Sequence, residues 1–169
     1  MGQSGQRPDR EMMSNPPPKL TRILQNFSLL EDRAERIELL ISMADQFRRV
    51  PPEIASPPFP EENRVPHCES EVFVFPVRQD GETFKFHFAV ENPQGISAMA
   101  TAVILDQVLS GRPLQEILKI DPGFIYEVCG RELSTGKGLG LTGIVTTVQS
   151  LAKRQSGGHT SAAGSRELS

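Results

Sequence analysis

The stretch Val72-Phe73-Val74-Phe75-Pro76-Val77-Arg78-Gln79-Asp80-Gly81-Glu82-Thr83-Phe84-Lys85-Phe86-His87-Phe88-Ala89-Val90 decides how the rest of the chain must fold. Its second half alternates, with Phe84, Phe86, Phe88 and Val90 on one face and Lys85, His87 and Ala89 on the other. That period of two is the mark of a strand with one buried face. From Val72 to Arg78 the residues are apolar on both faces, which predicts a strand covered on both sides. Asp80-Gly81 is a strong turn signal, so the two strands form an antiparallel hairpin. A hairpin alone is marginal in water, so a third strand or helices must cover it. Val65 is placed to start a short extra strand.

Upstream, Leu20, Ile23, Leu24 and Phe27 recur at i, i+3, i+4 and i+7, one face of a helix. A second helix presents Ile37, Leu40, Ile41, Ala44 and Phe47, and Asp32 and Glu35 have the spacing of an N-terminal capping pair. Pro51, Pro52, Pro57, Pro58 and Pro60 then forbid regular structure. Downstream, Asn92-Pro93 opens a helix with Ile96, Met99, Ala100, Val103, Ile104 and Val108 on its apolar face. Short helices follow over Pro113–Leu118 and from Asp121-Pro122 to Cys129. A last helix starts near Leu139 and carries Leu141, Ile144, Val145, Val148 and Leu151. The order predicts an α+β fold: an N-terminal helix pair, a small antiparallel sheet of about three strands, and C-terminal helices packed on it.

The 169 residues suit one domain, and 37% are hydrophobic. The ends account for part of that low share. Residues 1–16 and 155–169 read as disordered tails, leaving a domain over 17–154. A formal net charge of -3 with no Lys/Arg stripe argues against nucleic-acid binding. Ile96–Leu105 is too short to span a membrane, and residues 1–15 hold no apolar run of the signal-peptide kind. The expected setting is a reducing cytoplasm, where Cys68 and Cys129 are free thiols.

Ser134-Thr135-Gly136-Lys137-Gly138-Leu139-Gly140 has the look of a phosphate loop but fails its pattern. Gly138 stands where the hydroxyl after the lysine belongs, and a helix precedes the stretch instead of a strand. It reads as a helix-to-helix turn. No CxxC or HxxxH spacing supports a metal site. Cys129 ends a helix beside Ile125 and Val128 and reads as inert packing. Cys68 instead sits in the polar segment Glu61–Glu71, directly before the first strand. Arg64 and His67 favour its thiolate; Glu69 and Glu71 oppose it. The residues alone fit a reactive thiol and a plain loop thiol equally well.

The surrounding motif is more specific. Glu62-Asn63-Arg64-Val65-Pro66-His67-Cys68-Glu69-Ser70-Glu71-Val72-Phe73-Val74 resembles the signature of the SufE family of sulfur-acceptor proteins. That signature runs Asn, a basic residue, an aliphatic, Gly-Cys, any residue, Ser, Gln or Glu, Val and an aromatic. The helix pair, the Pro-rich connector, the hairpin, the small-residue helix and Leu133-Ser134 are similar too. The resemblance implies that Cys68 takes a sulfur atom, as a persulfide, from a cysteine desulfurase and stimulates that enzyme, feeding iron–sulfur cluster assembly. It implies a partner-binding role for Arg64, His67, Glu69, Ser70, Glu71 and Lys137. It implies no cofactor of the chain's own, because the pyridoxal phosphate belongs to the partner desulfurase. Iron–sulfur scaffold proteins are further implied partners, and pairing of two copies is left open. The implied fold places the cysteine at a loop tip near a shallow apolar hollow.

Three positions depart from the family pattern. His67 replaces the glycine before the cysteine, Lys137 replaces an arginine, and Glu91-Asn92-Pro93 replaces an Asp-Ser-Asp run. Lysine keeps the charge but lacks the planar fork for a bidentate contact. These departures motivate an alternative, a diverged binding module of the same fold that contacts a desulfurase or scaffold without transferring sulfur. A stand-alone thiol enzyme, with His67 or His87 as base, would lack an orienting acid.

Overall fold

The computed structural model describes the backbone of residues 16–168 and the side chains of residues 16–157. The expected tail over 1–16 therefore lies outside the described residues, save Pro16. Helices α1 (Pro18–Ser28) and α2 (Arg33–Ala44) form the N-terminal pair. Strands β1 (Val72–Gln79) and β2 (Thr83–Val90) follow the connector. Helices α3 (Ile96–Leu109), α4 (Leu114–Leu118), α5 (Phe124–Cys129) and α6 (Thr135–Leu168) complete the α+β order.

β1 and β2 pair antiparallel, with Val72 opposite Val90 and Gln79 opposite Thr83. The connection Asp80–Glu82 turns through left-handed backbone at Gly81 (φ 73°) and Glu82 (φ 59°), which only glycine adopts without strain. Among the described residues the sheet has two strands, not three. The third is reduced to a single bridge between Arg64 and Phe73, with Val65 N–H donating to Val72 O at 2.8 Å. Pro66 follows immediately and has no N–H to continue the ladder. The outer side of β1 is finished by side chains: the Asn63 amide donates to Val74 O at 2.8 Å and the Gln155 amide to Pro76 O at 2.9 Å.

Alternation sorts the sheet's side chains into two cores. Val72, Val74, Phe84, Phe86, Phe88 and Val90 face the helices and join the main core. Phe73, Phe75 and Ala89 face the other way, under Val50 and Phe59 of the connector. Phe59 sits 5.1 Å from Phe73 and 5.3 Å from Phe75, ring centre to ring centre. The Pro-rich connector thus supplies the second cover that β1 requires.

Several expectations about the helices need correction. In α2 the buried residues are Leu40, Met43 and Ala44, while Ile37 and Ile41 are 46% and 42% exposed. Apolar residues lie most of the way round this helix, so periodicity alone does not fix which stripe packs. Asp32 does cap it, accepting from Ala34 N–H at 3.1 Å. The second correction concerns the last helix, which begins at Thr135, not near Leu139. Ser134 Oγ accepts from Lys137 N–H at 3.2 Å, so the glycine-rich stretch is the first turns of α6 and not a connecting turn. α6 also runs to Leu168, beyond the expected boundary at 154. Extending a packed helix adds one hydrogen bond per residue without a new nucleus.

Candidate functional site

The segment from Arg64 to Glu71 is held at both ends and bent in the middle. Glu71 N–H donates to Cys68 O at 3.2 Å, and the stretch after β2 returns to it through Glu91 N–H to Glu71 O (3.1 Å) and Asn92 N–H to Ser70 O (3.2 Å). His67 has φ 59° and Glu71 φ 50°. The left-handed turn at 67 explains why a glycine suits that position, and His67 accepts the conformation at a cost of about 1 kcal/mol. Arg64 bridges Glu61 (3.7 Å) and Glu71 (3.4 Å) and lies over the Phe73 ring.

Cys68 is half-buried and lines a hollow of about 190 Å³ between α3 and α6. Glu69, Ser70 and Lys137 line it with Cys68, so the structure gathers four of the residues singled out from the sequence. Arg64 and His67 instead line a neighbouring groove along α6, with Leu139 and Thr142. Glu71 lines neither. Sequence reasoning missed Gly95, which caps α3, Ile96, Ser97 and Ala98 from its first turn, and Gly140 and Leu141 from α6. The signal for the α6 side was present: Gly136, Gly140 and Gly143 recur at i, i+4 and i+7, one helix face.

The hollow differs from the apolar one implied by the resemblance. Ile96, Ala98 and Leu141 give it apolar wall, but Glu69, Ser70, Asn92, Gln94, Ser97 and Lys137 make it mixed. The first turns of α3 and α6 both open onto it, bringing the positive ends of two helix dipoles near the thiol. Burial pushes the Cys68 thiol above its ordinary value; a hydrogen bond from Ser70 N–H opposes this, Glu69 adds to it, and Arg64 opposes it. The free thiol is therefore mostly protonated at neutral pH. The Ser70 N–H and the two helix ends suit a negative charge on the sulfur once it forms.

Neither histidine is placed as a base. His87 lies in a separate cleft with Lys85, Arg49 and Asp106, and burial followed by Lys85 lowers its pKa. Among the described residues no hydrogen bond joins His67 or His87 to Cys68. Nor do three His, Cys, Asp or Glu residues gather as a metal site requires. No described helix is long and apolar enough to cross a membrane.

An α+β domain that displays one thiol on a short loop, at the edge of a two-stranded sheet and in a hollow between two helix starts, is the class of protein defined here. Comparison with known proteins makes it particular. The SufE family, described as an Fe-S metabolism associated domain, matches residues 21–152, and the chain belongs to that family. Over 69 residues, 41% of this chain, it is 38% identical to a protein of Plasmodium vivax named "Cysteine desulfuration protein SufE". The match covers 28% of that relative's length. The fold is similar to the solution structure of a hypothetical protein from Thermus thermophilus, with a TM-score of 0.64 and 25% identity. That match covers 82% of this chain and 96% of the other.

Proposed function

We propose that this protein accepts a sulfur atom from a cysteine desulfurase onto Cys68, stimulates that enzyme, and passes the sulfur toward iron–sulfur cluster assembly. The observation that carries this reading is Cys68 itself, a half-buried thiol on a pinned loop, lining a hollow beside two helix starts. The step is a thiol exchange. The Cys68 thiolate attacks the terminal sulfur of the partner's cysteine persulfide, a new S–S bond forms, and the partner's S–S bond breaks. The partner's thiolate leaves with the electron pair and takes up the proton that Cys68 released, so nothing is oxidised or reduced overall. Glu69, Ser70 and Lys137 line the hollow with the thiol, Arg64 and His67 line the neighbouring groove, and Glu71 N–H donates to Cys68 O; together they form the face offered to the partner. The protein works in the cytoplasm and needs no cofactor of its own, since pyridoxal phosphate chemistry belongs to the partner.

The test is mass spectrometry after incubation with a desulfurase and cysteine. Cys68 is expected to gain the mass of one sulfur atom. Cys68→Ser abolishes loading and rate enhancement, and Cys129→Ser leaves both intact. Equal loss in the two variants overturns the proposal. A second reading, a binding module that does not transfer sulfur, draws on His67 in a glycine-type conformation. Desulfurase stimulation that survives Cys68→Ser would favour it.

A further inference from the structure

Building on the sulfur-acceptor reading, we propose that Gly140 is the positioning residue that seats Cys68, its bare backbone letting α6 close on the loop so that the thiol lines the hollow. A Cβ at Gly140 would lie 3.2 Å from Cys68 Cα, 3.2 Å from His67 O and 3.6 Å from Cys68 Cβ. Ordinary carbon contacts sit at about 3.5–4 Å. The two nearest atoms are backbone, so neither can swing aside as a flexible side chain would. The loop is also fixed elsewhere: Val65 N–H donates to Val72 O, Glu91 N–H to Glu71 O, and Asn92 N–H to Ser70 O. An added carbon at 140 must therefore move Cys68 itself.

The same helix face provides its own controls. A Cβ at Gly143 would meet only Val65 Cγ1 at 3.4 Å and Pro66 O at 3.5 Å, and one at Gly136 would meet nothing within 4 Å. Glycine inside a helix costs up to about 1 kcal/mol relative to alanine. Close approach to Cys68 gives that cost a reason at 140 and none at 136. The charged groups facing the thiol are Glu69 and Arg64 from the loop and Lys137 from α6, while α3 presents no titratable side chain to the hollow. Displacing the loop thus acts on Cys68 mainly by exposing it.

The experiment measures iodoacetamide alkylation of Cys68 against pH in the full chain, with Cys129→Ser throughout. Gly140→Ala is expected to speed alkylation at neutral pH by roughly three- to tenfold and to lower its pH midpoint, because burial is what holds the thiol up. Gly157→Ala, further along α6 and with nothing within 4 Å of an added Cβ, is expected to leave both unchanged. An unaltered rate and midpoint in Gly140→Ala overturns the proposal, as does an equal change in Gly157→Ala. Should Gly140→Ala alone fail to fold, the comparison moves to His67→Gly, where the loop can yield. Equal rates for His67→Gly and the double variant then overturn it. Alkylation requires no desulfurase, so its outcome is independent of sulfur loading. A shift without loading refutes only the acceptor reading; loading without a shift refutes only the seat.

Discussion

Ser97 stands between two thiols: it lines the hollow of Cys68, and its hydroxyl acts on Cys129 from the other side, favouring that thiolate. Cys68 sits on a pinned loop, with a backbone N–H on its sulfur and two helix starts nearby. Cys129 is the last residue of α5, at the carbonyl end of a helix, where negative charge is disfavoured. Burial pushes Cys129 up to about 11, against the Ser97 hydroxyl and the positive charges of Lys137 and Arg36. Burial raises Cys68 too, but there the chain supplies groups that welcome an anion once it forms. One serine thus borders a thiol displayed on a pinned loop on one side and a packing thiol at a helix end on the other. The direction of the neighbouring backbone dipoles separates them.

Labelling offers the largest break in that comparison. In the wild-type protein at mildly alkaline pH, iodoacetamide should modify Cys68 at least about tenfold faster than Cys129, as read by peptide mass spectrometry. Equal labelling would erase the distinction. The next effect is on stability. Cys129 has a folded pKa raised above its unfolded value, so the folded state binds its proton more tightly. Its stabilising contribution is complete below the unfolded pKa of about 8.5 and is lost as pH rises through about 11. Denaturant unfolding of the wild type should lose about 3 kcal/mol across that range beyond the loss in Cys129→Ser. Parallel curves for the two would mean the thiol is not buried as described. The smallest effect belongs to the loop. His67→Gly removes left-handed strain and adds unfolded-state freedom, for a net gain of about 0.5 kcal/mol by denaturant unfolding. A loss of stability would show that the His67 side chain contributes packing beyond its backbone.

The hairpin was legible because its alternation, its Asp80-Gly81 turn and its burial all follow from the same period of two. Cys68 was legible through the motif that joins its loop to β1. The wall opposite Cys68 was hidden. Gly136, Gly138 and Gly140 lower helix propensity and look like a turn, and only the packing of α6 against the loop makes them helical. The start of α3 was hidden likewise: Asn92 makes a local turn, its Oδ1 accepting from Gln94 N–H, and the helix begins four residues later at Ile96. Ile37 and Ile41 misled for the opposite reason, since a helix with several apolar stripes leaves the choice to its neighbours.

The carbonyls of Val72, Val74 and Pro76 on the outer side of β1 are each taken, by the Val65 N–H, the Asn63 amide and the Gln155 amide. A passing chain therefore finds no ladder of free acceptors there, and Pro76 offers no donor. The sheet is hemmed like cloth, so that crowded copies can brush past one another without being stitched into a growing stack. Asn63→Ala would unpick one of those stitches, and slow aggregation on concentration is how it would show.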